Sequence, residues 1–120
     1  MATARIIAIA LMIFGSVLHT FTWTMLASTF SVGFWLLSLN PYIASAIMYF
    51  LLRKPHMAAG AAVLPAIADI GAFYWVFVDP QGDMAGLALI VVPVWNILLL
   101  VPVGAGIGWW VGRRTVPNSN

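Results

Sequence analysis

Long apolar runs dominate this chain, and nearly every charged residue lies at the end of one. Only 7% of the 120 residues are charged, whereas charged residues make up about a quarter of a soluble domain. Because crossing a bilayer takes about 20 residues of helix, the chain has room for about four crossings and little else. Backbone polar groups in lipid must be hydrogen-bonded within their own segment, which favours helices. The sequence therefore predicts an all-α, four-helix transmembrane bundle.

Turn signals between the apolar runs set the helix boundaries. We predict helices over residues 5–24, 32–52, 57–78 and 84–111. Asp-Pro and Gly-Asp within 79–83 mark a turn, and Pro55 favours a break before the third helix. His56 is then interpreted as a solvated loop residue. We expect one membrane domain over residues 1–112 and a short cytoplasmic tail, first basic and then polar, over residues 113–120.

The charges are segregated between the two sides of the predicted membrane domain. With four crossings all five cations fall on one side, namely Arg5, Arg53, Lys54, Arg113 and Arg114. Asp79 and Asp83 fall on the other side. The positive-inside rule therefore predicts that both termini are cytoplasmic. The layout resembles that of small inner-membrane proteins of proteobacteria, which implies a bacterial cytoplasmic (inner) membrane but carries over no activity.

Asp69 is the exception, because it lies near the middle of an apolar run. A carboxylate at membrane depth costs several kcal/mol unless it is partnered or protonated, so it indicates a functional site. Counting about 1.5 Å per residue from the cytoplasmic cations gives the depth of each polar residue. One residue from each helix falls at a similar depth, namely Asp69, Asn96, Asn40 and His19. We expect these four to form a polar layer that is either structural or a proton or ion site.

Small residues at helical spacing predict the contact between the third and fourth helices. Gly104, Gly108 and Gly112 follow one another at intervals of four, a pattern that allows close approach of helices in membranes. Ala58 and Ala62 supply a similar row on the third helix. An antiparallel arrangement would place Ala58 opposite Gly108 and Ala62 opposite Gly104. The same register would bring Asp69 close to Asn96.

Four prolines lie inside the predicted helices, namely Pro41, Pro65, Pro93 and Pro102. Each removes a helical hydrogen bond and frees a carbonyl that needs another donor. Broken helices of this kind line cavities in many transporters. Proline is also frequent in ordinary membrane helices, so both interpretations stay open.

The residue types present exclude several kinds of chemistry. The absence of cysteine excludes disulfides, thiolate metal sites and cysteine nucleophiles. His19 and His56 differ in depth by most of the membrane, so they cannot form an axial haem pair. A single imidazole near Asp69 is a poor basis for a metal site. We therefore expect no cofactor, no metal and no enzymatic activity, and we read the net charge of +2 as membrane orientation rather than nucleic-acid binding.

Two functions fit these features. The first is a non-enzymatic accessory or assembly subunit of a larger membrane complex. Such a subunit would contact the lipid bilayer and either a membrane-protein partner or further copies of itself. The motive is the near absence of soluble surface together with seams of small residues suited to helix association. The alternative is a small oligomeric proton-coupled transporter or channel that uses Asp69.

Overall fold

Helices make up almost all of the chain that the structure describes. A computed structural model describes residues 2–25, 32–78 and 87–115. No strand occurs within those ranges. The elements are α1 (Ala2–Met25), α2 (Val32–Ser38), α3 (Asn40–Phe50), α4 (Pro55–Phe73), a π-helical turn (Tyr74–Val78), α5 (Ala88–Trp95), a second π-helical turn (Asn96–Leu100) and α6 (Val101–Thr115).

Three continuous helical segments are long and apolar enough to cross a membrane. They run over Ala2–Met25, Pro55–Val78 and Ile90–Thr115. The pair α2 and α3 is bent by 55° and makes a fourth candidate if it is counted as one broken span. The all-α architecture with three to four candidate membrane helices is therefore confirmed. The helices pack lengthwise into a body of 57 × 23 × 21 Å.

The prediction of one continuous helix over residues 32–52 is wrong. This segment is divided at Leu39 into α2 and α3, and α3 ends at Phe50. The break precedes Pro41, which lies in the first turn of α3. Proline has no N–H to donate and clashes with the carbonyl four residues before it, while it also disfavours helical geometry in the residue that precedes it. The span therefore bends before the proline instead of continuing through it as one straight helix.

The third helix begins earlier than predicted. It starts at Pro55, because a proline at the first helical position loses no hydrogen bond that the helix would otherwise make. The interpretation of His56 as a loop residue is therefore wrong. His56 lies in the first turn of α4, half-buried against the end of α6, where its Nε2 is 3.4 Å from the Thr115 hydroxyl.

The fourth helix ends later than predicted. It continues past residue 111 to Thr115, so Arg113 and Arg114 lie in its last turn rather than in a tail. Cations stabilise the carboxyl end of a helix, and the Thr115 hydroxyl donates to the Val111 carbonyl at 3.1 Å. The predicted start at residue 84 lies outside the described residues, as do Asp79, Asp83 and residues 116–120.

The contact between α4 and α6 is the most extensive of the helix packings. Glycine makes it possible, because the two backbones touch where no side chain intervenes. A Cβ on Gly104 would collide with the Gly60 carbonyl, and one on Gly60 would collide with the Gly104 carbonyl. A Cβ on Gly108 would meet the His56 carbonyl, whereas one on Gly112 would lie against the His56 ring. Three of these four glycines belong to the predicted row, and Gly60 was not included in it.

The predicted register between these helices is shifted. Gly104 contacts the backbone of Gly60 rather than Ala62, and Gly108 contacts that of His56 rather than Ala58. Glycine has no Cβ, so the α6 backbone can approach α4 more closely at Gly60 than at an alanine. The point of closest approach therefore lies at Gly60. Ala58 and Ala62 are still fully buried, and Ala58 packs against Ala8 of α1.

Candidate functional site

Asp69 lies in α4, and its carboxyl group is hydrogen-bonded to side chains from three other segments. The His19 Nε2 from α1 lies 2.9 Å from Oδ2. The Tyr42 hydroxyl from α3 donates to the same oxygen at 2.5 Å. The Asn96 amide from the second π-helical turn donates to Oδ1 at 2.9 Å. All four side chains are buried, with Asp69 only 3% exposed and Asn96 fully enclosed.

Tyr42 reaches the carboxyl group because a glycine on the neighbouring helix leaves room for its ring. The ring lies directly on Gly15 of α1, where any Cβ would overlap it. The ring is also tilted against the imidazole of His19, one turn along α1, with 5.8 Å between their centroids. Gly15 and His19, which share one face of α1, therefore both contact the phenol ring.

Asn96 owes its position to the π-helical turn that it begins. The Val101 N–H donates to the Asn96 carbonyl, five residues earlier, in the wider π pattern. The next residue, Pro102, has no N–H and would clash with a carbonyl four residues before it in a regular helix. The wider turn accommodates this proline, and such turns are frequent at functional sites. It presents the Asn96 amide to α4.

One polar atom of this cluster is unpaired. Among the described residues Asn96 Oδ1 is a buried side-chain oxygen with no hydrogen-bond partner. Reversing the amide would not help while Asp69 is ionised, because the amide oxygen would then face a carboxylate oxygen that can only accept. A buried acceptor without a donor costs about 1–3 kcal/mol. Asn96 Oδ1 is therefore a buried oxygen that can still accept a hydrogen bond.

A small cavity adjoins the carboxyl group. It has a volume of about 20 Å³, which suffices for about one water molecule. Its polar lining comes from His19, Thr22 and Asp69, and its apolar lining includes Ala72 and Pro93. Thr22 lies further along α1 from Arg5 than His19 does, and Ala72 lies further along α4 from Lys54 than Asp69 does. The cavity therefore lies on the side of the cluster away from the cations.

The structure brings together three of the four residues that were predicted to form a polar layer. Asp69, His19 and Asn96 are in direct contact. Asn40 is not part of the cluster: it is the first residue of α3, is only partly buried and makes no hydrogen bond to Asp69. Residues two apart on a helix point to nearly opposite faces, and the face that turns toward Asp69 carries Tyr42.

Tyr42 and Gly15 were not identified from the sequence. A proline directly before a tyrosine at the depth of a buried acid was the available signal for Tyr42. Gly15 lies one helical turn before His19, so it shares the face of α1 that turns toward α3 and α4. Neither signal is specific without knowledge of which helices are neighbours.

The arrangement can hold a variable number of protons. An ionised carboxylate accepts hydrogen bonds only, and here it is offered donors by Tyr42 and Asn96. His19 either donates to it or shares a proton with it, according to the tautomer and charge of the ring. Adding one proton to a neutral imidazole and an ionised carboxylate removes a net negative charge from the buried cluster. The site therefore places an imidazole nitrogen and a carboxyl oxygen within hydrogen-bond distance of each other in the protein interior.

No family model, no curated protein and no solved structure matches this chain.

Proposed function

We propose that this chain is a small integral membrane protein that binds a proton at the Asp69–His19 pair and works as an oligomeric proton-coupled transporter or channel. The buried hydrogen bond of 2.9 Å between His19 and Asp69 carries the proposal. Ionisable residues inside membranes are expensive, and they mark proton relays and ion pathways. Histidine is the side chain whose ordinary titration lies closest to physiological pH.

The ligand set favours a proton over a metal ion. Hard cations such as Na⁺, Mg²⁺ and Ca²⁺ need several oxygen ligands. Tyr42 and Asn96 instead direct hydrogen-bond donors at the two carboxyl oxygens, and these donors occupy the positions a cation would need. A proton requires no such cage, since a neighbouring imidazole or water accepts it directly.

The membrane setting is part of the proposal. We place the chain in a bacterial inner membrane with four crossings, counting α2 and α3 as one broken span, and with both termini in the cytoplasm. The segregation of the five cations supports this orientation. Within the described part of the chain, the cavity of about 20 Å³ beside Asp69 holds about one water molecule and is too small to be a continuous water path. Conduction or transport therefore calls for an oligomer or for an alternate packing of the same helices.

Proton flux into proteoliposomes tests the proposal. The purified chain is reconstituted with a pH-sensitive dye inside, and flux is driven by a potassium gradient with valinomycin. Wild-type protein is expected to acidify the interior, and Asp69→Asn to abolish the flux, because the amide keeps the shape of the carboxyl group but cannot bind and release a proton. Ser45→Ala is the matched control, since it removes another buried hydrogen bond, the 2.8 Å contact with the Ala58 carbonyl, outside the cluster. Equal flux from wild type and Asp69→Asn, or none from either, would refute a proton-conducting role.

A second candidate is a non-enzymatic accessory or assembly subunit of a larger membrane complex. The hydrogen bonding of the cluster favours it, because a carboxyl group that is enclosed by hydrogen bonds from three segments fixes how the helices pack. Purification in a mild detergent followed by mass spectrometry distinguishes the two. A stoichiometric membrane partner supports the accessory role, and a homo-oligomer supports the transporter.

A further inference from the structure

An apolar groove opens on the outer surface of the helices at the end of the molecule that carries the cations. Its volume is about 420 Å³, within the range of about 300–1,000 Å³ that is usual for small-molecule sites. Its walls come from the first turns of α1, the first half of α4 and the middle of α6. It is separate from the cluster around Asp69 and shares no lining residue with it.

The groove exists because small residues line it where α4 and α6 touch. Gly60, Gly104 and Gly108 leave the surface open while their backbones are in contact. Larger apolar side chains, including Val63 and Ile107, form its sides. Such a surface excludes polar ligands and fits a flexible hydrocarbon chain.

The polar and charged groups are confined to one end of the groove. The Thr3 hydroxyl and the His56 ring line it there. On α6 the lining positions reach Val111, and Arg114 follows three residues later on the same helical face. Lys54 immediately precedes α4 and is exposed. Within the described part of the chain neither cation forms an ion pair.

We propose that the groove binds an anionic phospholipid, with one acyl chain along the apolar walls and the phosphate at Thr3, His56 and Arg114. Charge complementarity selects this occupant, because an apolar channel that ends beneath cations matches a molecule with a negative head and a hydrocarbon tail. Basic pockets between membrane helices on the cytoplasmic side bind lipid headgroups in this way. A zwitterionic lipid offers the same tail but no net charge for Arg114.

Native mass spectrometry of the whole chain tests this. The protein is purified in a mild detergent and equilibrated with equal amounts of phosphatidylglycerol and phosphatidylcholine of identical chains. The spectrum is expected to show one retained phosphatidylglycerol in clear excess over phosphatidylcholine. Arg114→Gln is expected to weaken phosphatidylglycerol binding about fivefold, the effect of one cation near an anionic headgroup. Arg113→Gln is its matched control, since Arg113 stacks on a tryptophan as Arg114 does but lies two residues after Val111, off the face of α6 that lines the groove.

A second pair of variants tests the apolar walls. Val63→Trp fills the groove and is expected to abolish lipid retention. Ile67→Trp, one turn further along α4 and outside the groove lining, is expected to retain it. Equal retention of both lipids, or unchanged binding by Val63→Trp, would overturn the proposal. So would a dimer that Val63→Trp converts to a monomer without any loss of lipid, since the groove would then hold a second copy. If Val63→Trp does not fold, the two arginine variants decide the test. Equal phosphatidylglycerol binding by Arg114→Gln and Arg113→Gln would then overturn the proposal.

Discussion

Asp69 is stabilised in the protein interior by short, directed contacts with residues of different chemistry. An aspartate, with its single methylene, places its carboxyl group close to the α4 backbone, so the partners must reach toward it. The Tyr42 phenol donates to one oxygen of the carboxyl group, Oδ2, and the Asn96 amide donates to the other, Oδ1. A typical intramolecular hydrogen bond contributes about 0.5–1.5 kcal/mol, and a buried polar group left without one costs about 1–3 kcal/mol. The partners therefore offset much of the cost of burying this acid.

Gly15 is the residue on which the Tyr42 contact depends. We predict that Gly15→Ala destabilises the protein by about 1–3 kcal/mol, because the new methyl group overlaps the Tyr42 ring and displaces its hydroxyl from Asp69. Unfolding in mixed micelles with increasing SDS measures the change. Gly71→Ala is the matched control, since nothing lies within 4 Å of a Cβ at that position of α4. A Gly15→Ala variant as stable as Gly71→Ala would contradict the assigned packing.

Depth along a helix was predictable at the residue scale, but the face of the helix was not. Counting from the cations placed His19, Asp69 and Asn96 in one layer, and these three are in contact. The same count selected Asn40, although Tyr42 makes the contact. Depth changes by only about 3 Å over two residues, whereas the side-chain direction reverses. Choosing between them requires the bend before Pro41, and hydropathy contains no information about that bend.

At the scale of elements, the prolines have different consequences in different helices. Pro65 lies inside α4 without interrupting it. Pro41 ends one helix and begins another at a 55° bend. Pro102 follows a π-helical turn. The prolines themselves were visible in the sequence, but their effects depend on whether neighbouring helices can accept a displaced carbonyl, which is a property of tertiary packing.

The glycine contact between α4 and α6 gives a prediction at the same scale. Gly104→Ala is expected to cost about 1–3 kcal/mol, because its methyl group meets the Gly60 carbonyl and a backbone atom cannot move aside as a side chain does. Unfolding in SDS-containing micelles again provides the measurement. Gly106→Ala on the same helix has open space around its Cβ and is expected to be neutral or slightly stabilising. A Gly104→Ala variant as stable as Gly106→Ala would contradict the assigned packing, because only the higher helix propensity of alanine would then be seen.

At the scale of the whole molecule, the distribution of charge gives the chain two chemically different ends. The five cations belong to one end, where Arg113 lies 4.1 Å from the ring centroid of Trp109 and Arg114 lies 3.9 Å from that of Trp110. Guanidinium groups stacked on indoles suit the headgroup region, where amphipathic rings concentrate. The cavity beside Asp69 lies toward the other end. With the cations in the cytoplasm, the proposed proton site would therefore be nearer to water on the outer side.

The orientation itself is directly testable, because the chain contains no cysteine and any introduced thiol is unique. We predict that Asp83→Cys reacts with a membrane-impermeant maleimide in intact spheroplasts, since the positive-inside rule places that turn outside. Ser119→Cys is expected to react only after the membrane is permeabilised. Gly106→Cys serves as a control that stays unlabelled in both conditions, because a thiol facing lipid has no water in which to ionise. Labelling of Ser119→Cys in intact spheroplasts would show the opposite topology, in which the cavity beside Asp69 lies toward the cytoplasm.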